Sequence, residues 1–278
     1  WWNEGSPLIV ITKRLTEKIQ QQVSVPVVMA MRYGNPNIAS GLQQLHDQGV
    51  DEVLLMPLYP QYAMATTQTI EVFAQQLVKK QFPKMKLIKF PAFFHRSEYI
   101  EALAEVTRKY LENNPCDHLL FSYHGVPERH LRKTSPTPAH KNIVENTSCC
   151  NPYSEEGKYC YRSHCFETTR LLAEKLELKE NTYSQSFQSR LGNDKWITPF
   201  TADKIAQLAQ QGVKKLAVIT PAFVTDCVET LEEIEMAGGK TFRENGGEEF
   251  KMVPCLNDSN LWVHALSKWI NEYLTPNT

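Results

Sequence analysis

The order of apolar runs and turn residues occurs twice in this chain, and this repeat restricts the fold more than any other feature. An apolar run from Val25 leads into an Arg-containing turn, then a helix-like stretch that ends at Gly49, and then a second apolar run that breaks at Pro57. The same order returns from Tyr183 and ends in a run that breaks at Pro221. Each copy predicts a βαβ unit, whose crossover makes its two strands parallel.

Two such units predict an α/β fold of two similar Rossmann-like lobes with parallel sheets and a cleft between them. We expect a first lobe over residues 1–115, a second over residues 116–258, and a C-terminal region over residues 259–278 that consists of a helix from Asn260 to Leu274. The second lobe includes an irregular, cysteine-bearing insertion over residues 129–165, which is rich in Pro, Thr, Ser and Asn.

Composition excludes several classes of protein. The formal net charge of -1 gives no electrostatic basis for binding nucleic acid. The apolar runs are too short to span a membrane, and no signal peptide is visible, so we expect a cytoplasmic location. The chain begins with Trp1 rather than Met, which indicates a fragment or a processed form.

His124 directly follows the apolar strand predicted over Leu119–Tyr123, and a glycine comes next. The carboxyl ends of parallel strands are where open α/β sheets bind ligands. This position favours a proton acceptor or a metal ligand. The alternative is a strand-end histidine whose hydrogen bonds are satisfied by a backbone carbonyl.

Three carboxylates follow the break at Pro221, with the i, i+3, i+7 spacing of Asp226, Glu229 and Glu233. On an α-helix this spacing places all three side chains on one face. Such a face could deliver a divalent cation or share protons through raised pKa values. The alternative is the solvated first turn of an ordinary helix.

The segment after Pro57 carries aromatic and sulfur-containing side chains, among them Tyr59 and Tyr62. These side chains offer a flat, polarizable surface to an aromatic ligand, although hydrophobic core is an equally good interpretation. The matched turns of the two repeats carry Arg32 and Arg190, either as anion clamps or as structural residues of the repeat.

Four of the seven cysteines lie in one short stretch: Cys149, Cys150, Cys160 and Cys165. Four thiolates suit Zn²⁺ or an iron–sulfur cluster, and their spacing does not choose between these metals. Unrelated free thiols are the alternative. The other three, Cys116, Cys227 and Cys255, are expected in the core.

Four motifs occur in order along the chain: Pro57-Leu58-Tyr59-Pro60-Gln61-Tyr62, Phe121-Ser122-Tyr123-His124-Gly125-Val126-Pro127, Phe187-Gln188-Ser189-Arg190-Leu191-Gly192, and Asp226-Cys227-x-Glu229-Thr230-Leu231-Glu232-Glu233. Together they resemble the ferrochelatase family, which inserts Fe²⁺ into protoporphyrin IX as the final step of haem synthesis. The resemblance runs from Ser6 to about Leu256. It implies two Rossmann-like lobes with a central porphyrin cleft.

The resemblance also implies roles for individual residues. His124 and Glu229 would face each other across the porphyrin, one as base and one as metal ligand, in an order that is left open. Asp226 and Glu233 would continue the acidic face along the path of iron entry or proton exit.

Further roles follow from the same resemblance. The walls of the porphyrin pocket would be Arg32, Tyr33, Tyr59 and Tyr62. Some members of the family carry a [2Fe–2S] cluster, and its ligands here would be Cys149, Cys150, Cys160 and Cys165. The family's opening strand, with a Leu-x-Asn-x-Gly-Thr-Pro motif, and the lip over the porphyrin do not occur in this sequence, so the first lobe is expected to be incomplete.

Two other functions are left open by the sequence. One is a cobalt or nickel chelatase acting on a sirohydrochlorin-type ring, and the other is a non-catalytic sensor that binds haem or a cluster. The sequence also leaves open the choice between protoporphyrin and coproporphyrin, the oligomeric state and any peripheral contact with a membrane.

Overall fold

A computed structural model describes residues 4–134, 150 and 153–274 of the chain. These residues form two compact units. The first unit runs up to Tyr59, takes in Met64–Ala92 and returns from Asn257 onwards. The second consists of Pro60–Ala63 and Phe93–Leu256. No helix in the described ranges is both long enough and apolar enough to cross a membrane.

The first unit contains a short parallel sheet of two strands and the helices around it. In chain order its elements are α1 (Pro7–Gln20), α2 (Ile38–Asp47), β1 (Glu52–Leu55), the π-helix π1 (Met64–Gln68), α3 (Thr69–Gln81), β2 (Lys86–Lys89) and α9 (Asn260–Leu274). Helices α2 and α3 pack against the sheet through Leu42, Ala74 and Val53.

The second unit contains a parallel sheet of four strands in the order β4-β3-β5-β6. Its elements are α4 (Ser97–Asn113), β3 (His118–His124), α5 (Glu128–Thr134), a 3₁₀ turn (Glu155–Gly157), α6 (Tyr161–Lys175), β4 (Tyr183–Gln188), α7 (Thr201–Gln210), β5 (Lys215–Ile219), π2 (Glu229–Gly238), α8 (Gly239–Glu244) and β6 (Glu249–Met252). Strand β3 is buried up to Tyr123, as expected for a central parallel strand covered on both faces. The α/β class with parallel sheets is therefore confirmed.

A repeat is present in both units, and it begins at the second strand of each βαβ unit that the sequence predicted. Strand β1 pairs with β2 through Glu52 and Lys86, and β5 pairs with β6 through Lys215 and Glu249, so that partners are equally far apart in sequence in both copies. The charges of the two pairs are reversed, and the ion pairs measure 2.6 and 2.8 Å. In each copy a π-helix and then an α-helix connect the strands.

Glycines end the helices of the repeat as predicted. Gly49 follows α2 with φ +78°, and Gly212 follows α7 with φ +94°. Residues with a side chain rarely adopt this left-handed conformation. Helices commonly end with one residue in this conformation, and that residue is usually glycine. At the start of α2 the Asn37 side chain accepts a hydrogen bond from the Ser40 N–H at 2.9 Å.

The strand expected from Val25 to Met31 is not formed, and this prediction was wrong. Only an isolated bridge between Met31 and Asn37 occurs there. In the second unit the corresponding strand, β4, pairs with β3. The sheet of the first unit consists of β1 and β2 alone, so a neighbour equivalent to β3 is lacking among the described residues. A strand without a partner cannot form a ladder.

The compact units differ from the lobes expected along the sequence. Helix α4, expected at the end of the first lobe, packs on α6 and belongs to the second unit. The terminal helix α9 has the expected bounds and packs on α1 in the first unit. Lys18 of α1 fixes this arrangement by donating to the Asp258 carbonyl at 2.7 Å and pairing with its carboxylate at 2.8 Å.

Candidate functional site

His124 lies at the carboxyl end of β3 with its side chain partly buried. Its Nδ1 lies 2.7 Å from the Gly125 carbonyl oxygen. Since a carbonyl only accepts hydrogen bonds, Nδ1 carries a proton, and in the neutral imidazole the lone pair is then on Nε2. One nitrogen is thus satisfied by the backbone, and the other can accept a proton or coordinate a metal ion.

The peptide bond after His124 is held from two sides. Its carbonyl accepts a hydrogen bond from the Tyr161 hydroxyl at 2.8 Å, and its N–H donates to the Gln188 carbonyl at 2.6 Å. Gly125 is required here because a Cβ would lie 3.0 Å from the Gln188 oxygen and 3.2 Å from the Ser189 oxygen. The backbone that supports the imidazole is therefore fixed.

The three carboxylates predicted to share one helix face have three different environments. Asp226 precedes the helix and is buried, and its Oδ1 accepts from the Thr230 hydroxyl at 3.2 Å and the Cys255 N–H at 3.3 Å. Glu229 is exposed at the first position of π2. Glu233 accepts hydrogen bonds from the backbone N–H of Ser189, at 2.8 Å, and from its hydroxyl. The i, i+3, i+7 argument assumed an α-helix, whereas the helix is a π-helix that begins only at Glu229.

Gln188, at the end of β4, connects the histidine strand to the acidic helix. Its buried side chain accepts from the Ser122 hydroxyl at 2.8 Å and donates to the Glu229 carbonyl at 3.0 Å. We assigned no role to Gln188 from the sequence. The available signal was an amide side chain at the end of a buried strand, where a polar group needs partners.

Tyr62, predicted as a pocket wall, is in the second unit and contacts the cysteine-bearing region. Its N–H donates to Nδ1 of the buried His164 at 3.1 Å, and its ring lies 5.2 Å from that of Tyr159. The other imidazole nitrogen, Nε2, donates to the Lys158 carbonyl at 3.0 Å. Burial lowers the pKa of His164 to about 3, so the ring stays neutral in this role.

Arg32, Tyr33 and Tyr59 belong to the first unit. The Arg32 guanidinium stacks over the Tyr33 ring at 4.7 Å and the Phe73 ring at 4.5 Å. Its Nε is buried and has no hydrogen-bond partner among the described residues. The side chains of Tyr33 and Tyr59 are exposed. An unpaired buried donor beside exposed aromatic rings suits an anionic aromatic ligand.

Arg190, the counterpart of Arg32 in the second unit, stacks over the Phe200 ring, also at 4.5 Å. Phe200 is the N-cap residue of α7. The two arginines of the repeat thus make the same kind of contact. This shared contact favours a structural role for the stacking of the two guanidinium groups, which is one of the two roles that the sequence left open.

Three of the four clustered cysteines are described by the structure, and all three are buried: Cys150, Cys160 and Cys165. The Cys150 thiol lies 3.2 Å from the Nε of Arg162, which donates to it. A hydrogen bond with Cys160, together with burial, raises the pKa of Cys150, and burial raises that of Cys165. Cys149 lies outside the described residues.

The remaining cysteines agree in part with the expected core positions. Cys227 and Cys255 are buried, whereas Cys116 is only partly buried. Burial and the nearby Glu229 raise the pKa of Cys227 to about 12. No group of three or more His, Cys, Asp or Glu side chains within 4–134, 150 and 153–274 is arranged to hold a metal ion.

Comparison with known proteins assigns the chain to a family. The model of the family described as Ferrochelatase matches residues 2–274. The ferrochelatase of Pseudomonas fluorescens (strain SBW25) is 47% identical over 269 residues, which cover 96% of this chain and 78% of that protein. The ferrochelatase of Pseudomonas aeruginosa (strain UCBPP-PA14) is 45% identical over 277 residues, covering 99% of this chain and 81% of that protein.

Solved structures of similar fold are more distant in sequence. The sirohydrochlorin chelatase SirB from Bacillus subtilis subspecies spizizenii, in complex with cobalt, gives a TM-score of 0.61 at 10% identity, covering 95% of this chain and 88% of that one. CbiX, described as the terminal enzyme for biosynthesis of siroheme in denitrifying bacteria, gives 0.56 at 12% identity, covering 98% and 95%. At these identities the similarity concerns the fold alone.

Proposed function

The chain belongs to the ferrochelatase family and is an enzyme that inserts ferrous iron into a porphyrin; from this premise we propose that the porphyrin is protoporphyrin IX and that His124 and Glu229 carry the reaction. The observation that supports the role of His124 is its hydrogen bond to the Gly125 carbonyl, which leaves the Nε2 lone pair available. Glu229 supplies an exposed carboxylate from the first turn of π2.

The reaction needs these two kinds of group. A porphyrin holds two N–H protons in the plane of its ring, and the metal enters only when both have left. A neutral imidazole accepts a proton near neutral pH, and a carboxylate binds Fe²⁺ or relays a proton. Binding the ring in a buckled form would bring it part of the way to the transition state.

We propose that the acidic side chains of the porphyrin bind to residues of the first unit. The buried, unpaired Nε of Arg32 and the exposed rings of Tyr33 and Tyr59 support the proposal that these residues bind the substrate. Tyr62 would contribute from the second unit.

The test is an anaerobic insertion assay with Fe²⁺ and protoporphyrin IX, in which His124→Ala is compared with the wild-type chain. We expect the variant to lose insertion, by at least about a hundredfold as for a missing general base, and to keep porphyrin binding measured by fluorescence. Loss of porphyrin binding together with activity would mean that His124 supports the structure of the pocket instead.

The same assay addresses the two other functions. Steady insertion of Zn²⁺ into protoporphyrin IX would exclude a non-catalytic sensor. The sirohydrochlorin reaction has less support, because SirB is similar in fold at 10% identity, whereas relatives that are 45–47% identical are ferrochelatases. A preference for sirohydrochlorin over protoporphyrin in the assay would reverse this conclusion.

We propose that the cysteine stretch holds a [2Fe–2S] cluster, with Cys149, Cys150, Cys160 and Cys165 as its ligands. The three described thiols are buried in one region, and Arg162 donates to the sulfur of Cys150, a contact that tunes the potential of such clusters. A cluster of this kind would be held by four thiolates divided between two iron atoms, so its ligands would not need to converge on one metal ion. When bound, the cluster can accept and release an electron.

The cluster is tested by the iron and sulfide content and the visible spectrum of the purified protein. We expect Cys160→Ser to lose the cluster absorbance and Cys116→Ser, outside the stretch, to keep it. Equal spectra for both variants and the wild-type chain would show that Cys160 is not a ligand. We also propose a cytoplasmic location, which the free thiols of the six described cysteines support, since disulfides are rare in that compartment.

A further inference from the structure

We propose that Tyr161, the first residue of the cysteine-bearing helix α6, is a positioning residue for His124. This inference rests on the proposed function, because it assigns Tyr161 a task only if the His124 imidazole takes part in the reaction. The buried Tyr161 hydroxyl donates to the His124 carbonyl at 2.8 Å from a position 37 residues later in the chain.

The hydroxyl completes a chain of hydrogen bonds that ends at the imidazole. It holds the carbonyl of the peptide bond between His124 and Gly125, while the Gln188 carbonyl holds the N–H of the same peptide bond at 2.6 Å. The orientation of this peptide bond sets where the next carbonyl, that of Gly125, points. The Gly125 carbonyl accepts from Nδ1 of His124 at 2.7 Å.

This chain selects the tautomer of the imidazole. With the Gly125 carbonyl in place, the proton stays on Nδ1 and Nε2 remains unprotonated. Without the Tyr161 hydroxyl, one side of the peptide bond is released and its carbonyl loses a partner. The hydrogen bond to Nδ1 then weakens, and a fraction of the imidazole carries its proton on Nε2, where it can neither accept a proton nor bind a metal ion.

Tyr161 also lies within the cysteine stretch, so the support of His124 originates there. It follows Cys160 directly and precedes Cys165 by four residues on the same helix. The same helix holds the Tyr62 N–H through His164 at 3.1 Å. Helix α6 therefore contacts both a proposed catalytic residue and a proposed pocket wall.

The test compares Tyr161→Phe with a matched control, Tyr123→Phe. Tyr123 is also buried, and its hydroxyl is hydrogen-bonded to that of Thr169 of α6 at 2.8 Å. Each substitution thus removes one buried hydroxyl that links β3 to α6, but only Tyr161 holds the His124 carbonyl. Both variants are assayed for Zn²⁺ insertion, and the His124 tautomer is read from ¹⁵N NMR of the histidine side chains.

We expect Tyr161→Phe to lower kcat about tenfold, because the loss of one hydrogen bond can change the ratio of the two His124 tautomers by about this factor, with KM for porphyrin changed less than about twofold. The Nε2 resonance should move towards the protonated position in this variant alone. Tyr123→Phe should keep kcat within about twofold. An unchanged tautomer in Tyr161→Phe, or an equal loss of kcat in both variants, would overturn the proposal.

A second variant covers the case in which Tyr161→Phe does not fold. With 3-fluorotyrosine at position 161 the ring and hydroxyl remain, and the more acidic hydroxyl donates more strongly. Since the wild-type ring already carries its proton on Nδ1, we expect the Nδ1–H resonance to move downfield as its hydrogen bond to the Gly125 carbonyl becomes firmer, and an unchanged resonance would contradict the proposal. Failure of the proposed function would appear separately, as an inactive wild-type chain, because the NMR measurement does not depend on turnover.

Discussion

At the scale of single residues, the site depends on how the backbone around His124 is held. The imidazole can accept a proton because a carbonyl of its own loop fixes the proton on the other nitrogen. Gly125 permits this arrangement, since it lets the loop pass close to the end of β4. The sequence indicated His124 as a candidate and gave no sign of the contacts that fix its tautomer.

Gly125→Ala tests the close approach. The added Cβ must displace the backbone of Gln188 or Ser189, so we expect a loss of about 1–3 kcal/mol in the free energy of unfolding and a fall in kcat of at least about tenfold. Urea unfolding and the Zn²⁺ insertion assay measure the two effects.

Gly49→Ala is the control for Gly125→Ala. It introduces strain at φ +78°, at the end of α2, where no other atom lies within 4 Å of the new Cβ. We expect this variant to lose about 1–2 kcal/mol of stability and to keep its kcat. If Gly125→Ala also kept its kcat, the fixed loop would not matter for the reaction.

At the scale of elements, the two π-helices distinguish this protein from a simple βαβ repeat. Each follows a strand and a proline turn, and each passes directly into an α-helix. Such helices are rare and often occur at functional sites. In the second unit, π2 presents Glu229 while Glu233 is held by Ser189, a residue with φ +57° at the end of β4.

Gln188→Glu tests how π2 is attached to the sheet. The substitution keeps the shape of the side chain but replaces the amide that donates to the Glu229 carbonyl with an oxygen that repels it. We expect a fall in kcat of about tenfold or more, measured in the insertion assay, because the first turn of π2 is displaced.

Gln185→Glu provides a matched control on the same strand. It adds the same charge at a partly buried position where the Gln185 Nε2 has no hydrogen-bond partner within the described part of the chain and Oε1 accepts from Thr169 at 2.8 Å. We expect little change in kcat. Equal kcat values for the two variants would show that the contact with Glu229 is not needed.

At the scale of the whole molecule, the chain repeats one plan in two compact units. The second unit has a complete four-stranded sheet and contains His124, Glu229 and the described cysteines. The first has two strands and contains Arg32, Tyr33 and Tyr59. The terminal helix α9 joins the first unit although the second precedes it in the chain, which no local pattern indicated.

The sequence by itself determined the parallel α/β class, the helix-ending glycines, the bounds of α9 and the family, since all of these depend on local periodicity or on short ordered motifs. It also located His124 at a strand end. Tertiary structure alone decided that Asp226 faces inwards, that the Val25–Met31 segment has no strand to pair with, and that Tyr161 and Gln188 hold the peptide bond after His124. The physical reason is that these contacts join residues far apart in the chain. The periodicity of a segment indicates which of its faces is buried, but it does not indicate which distant residue contacts that face.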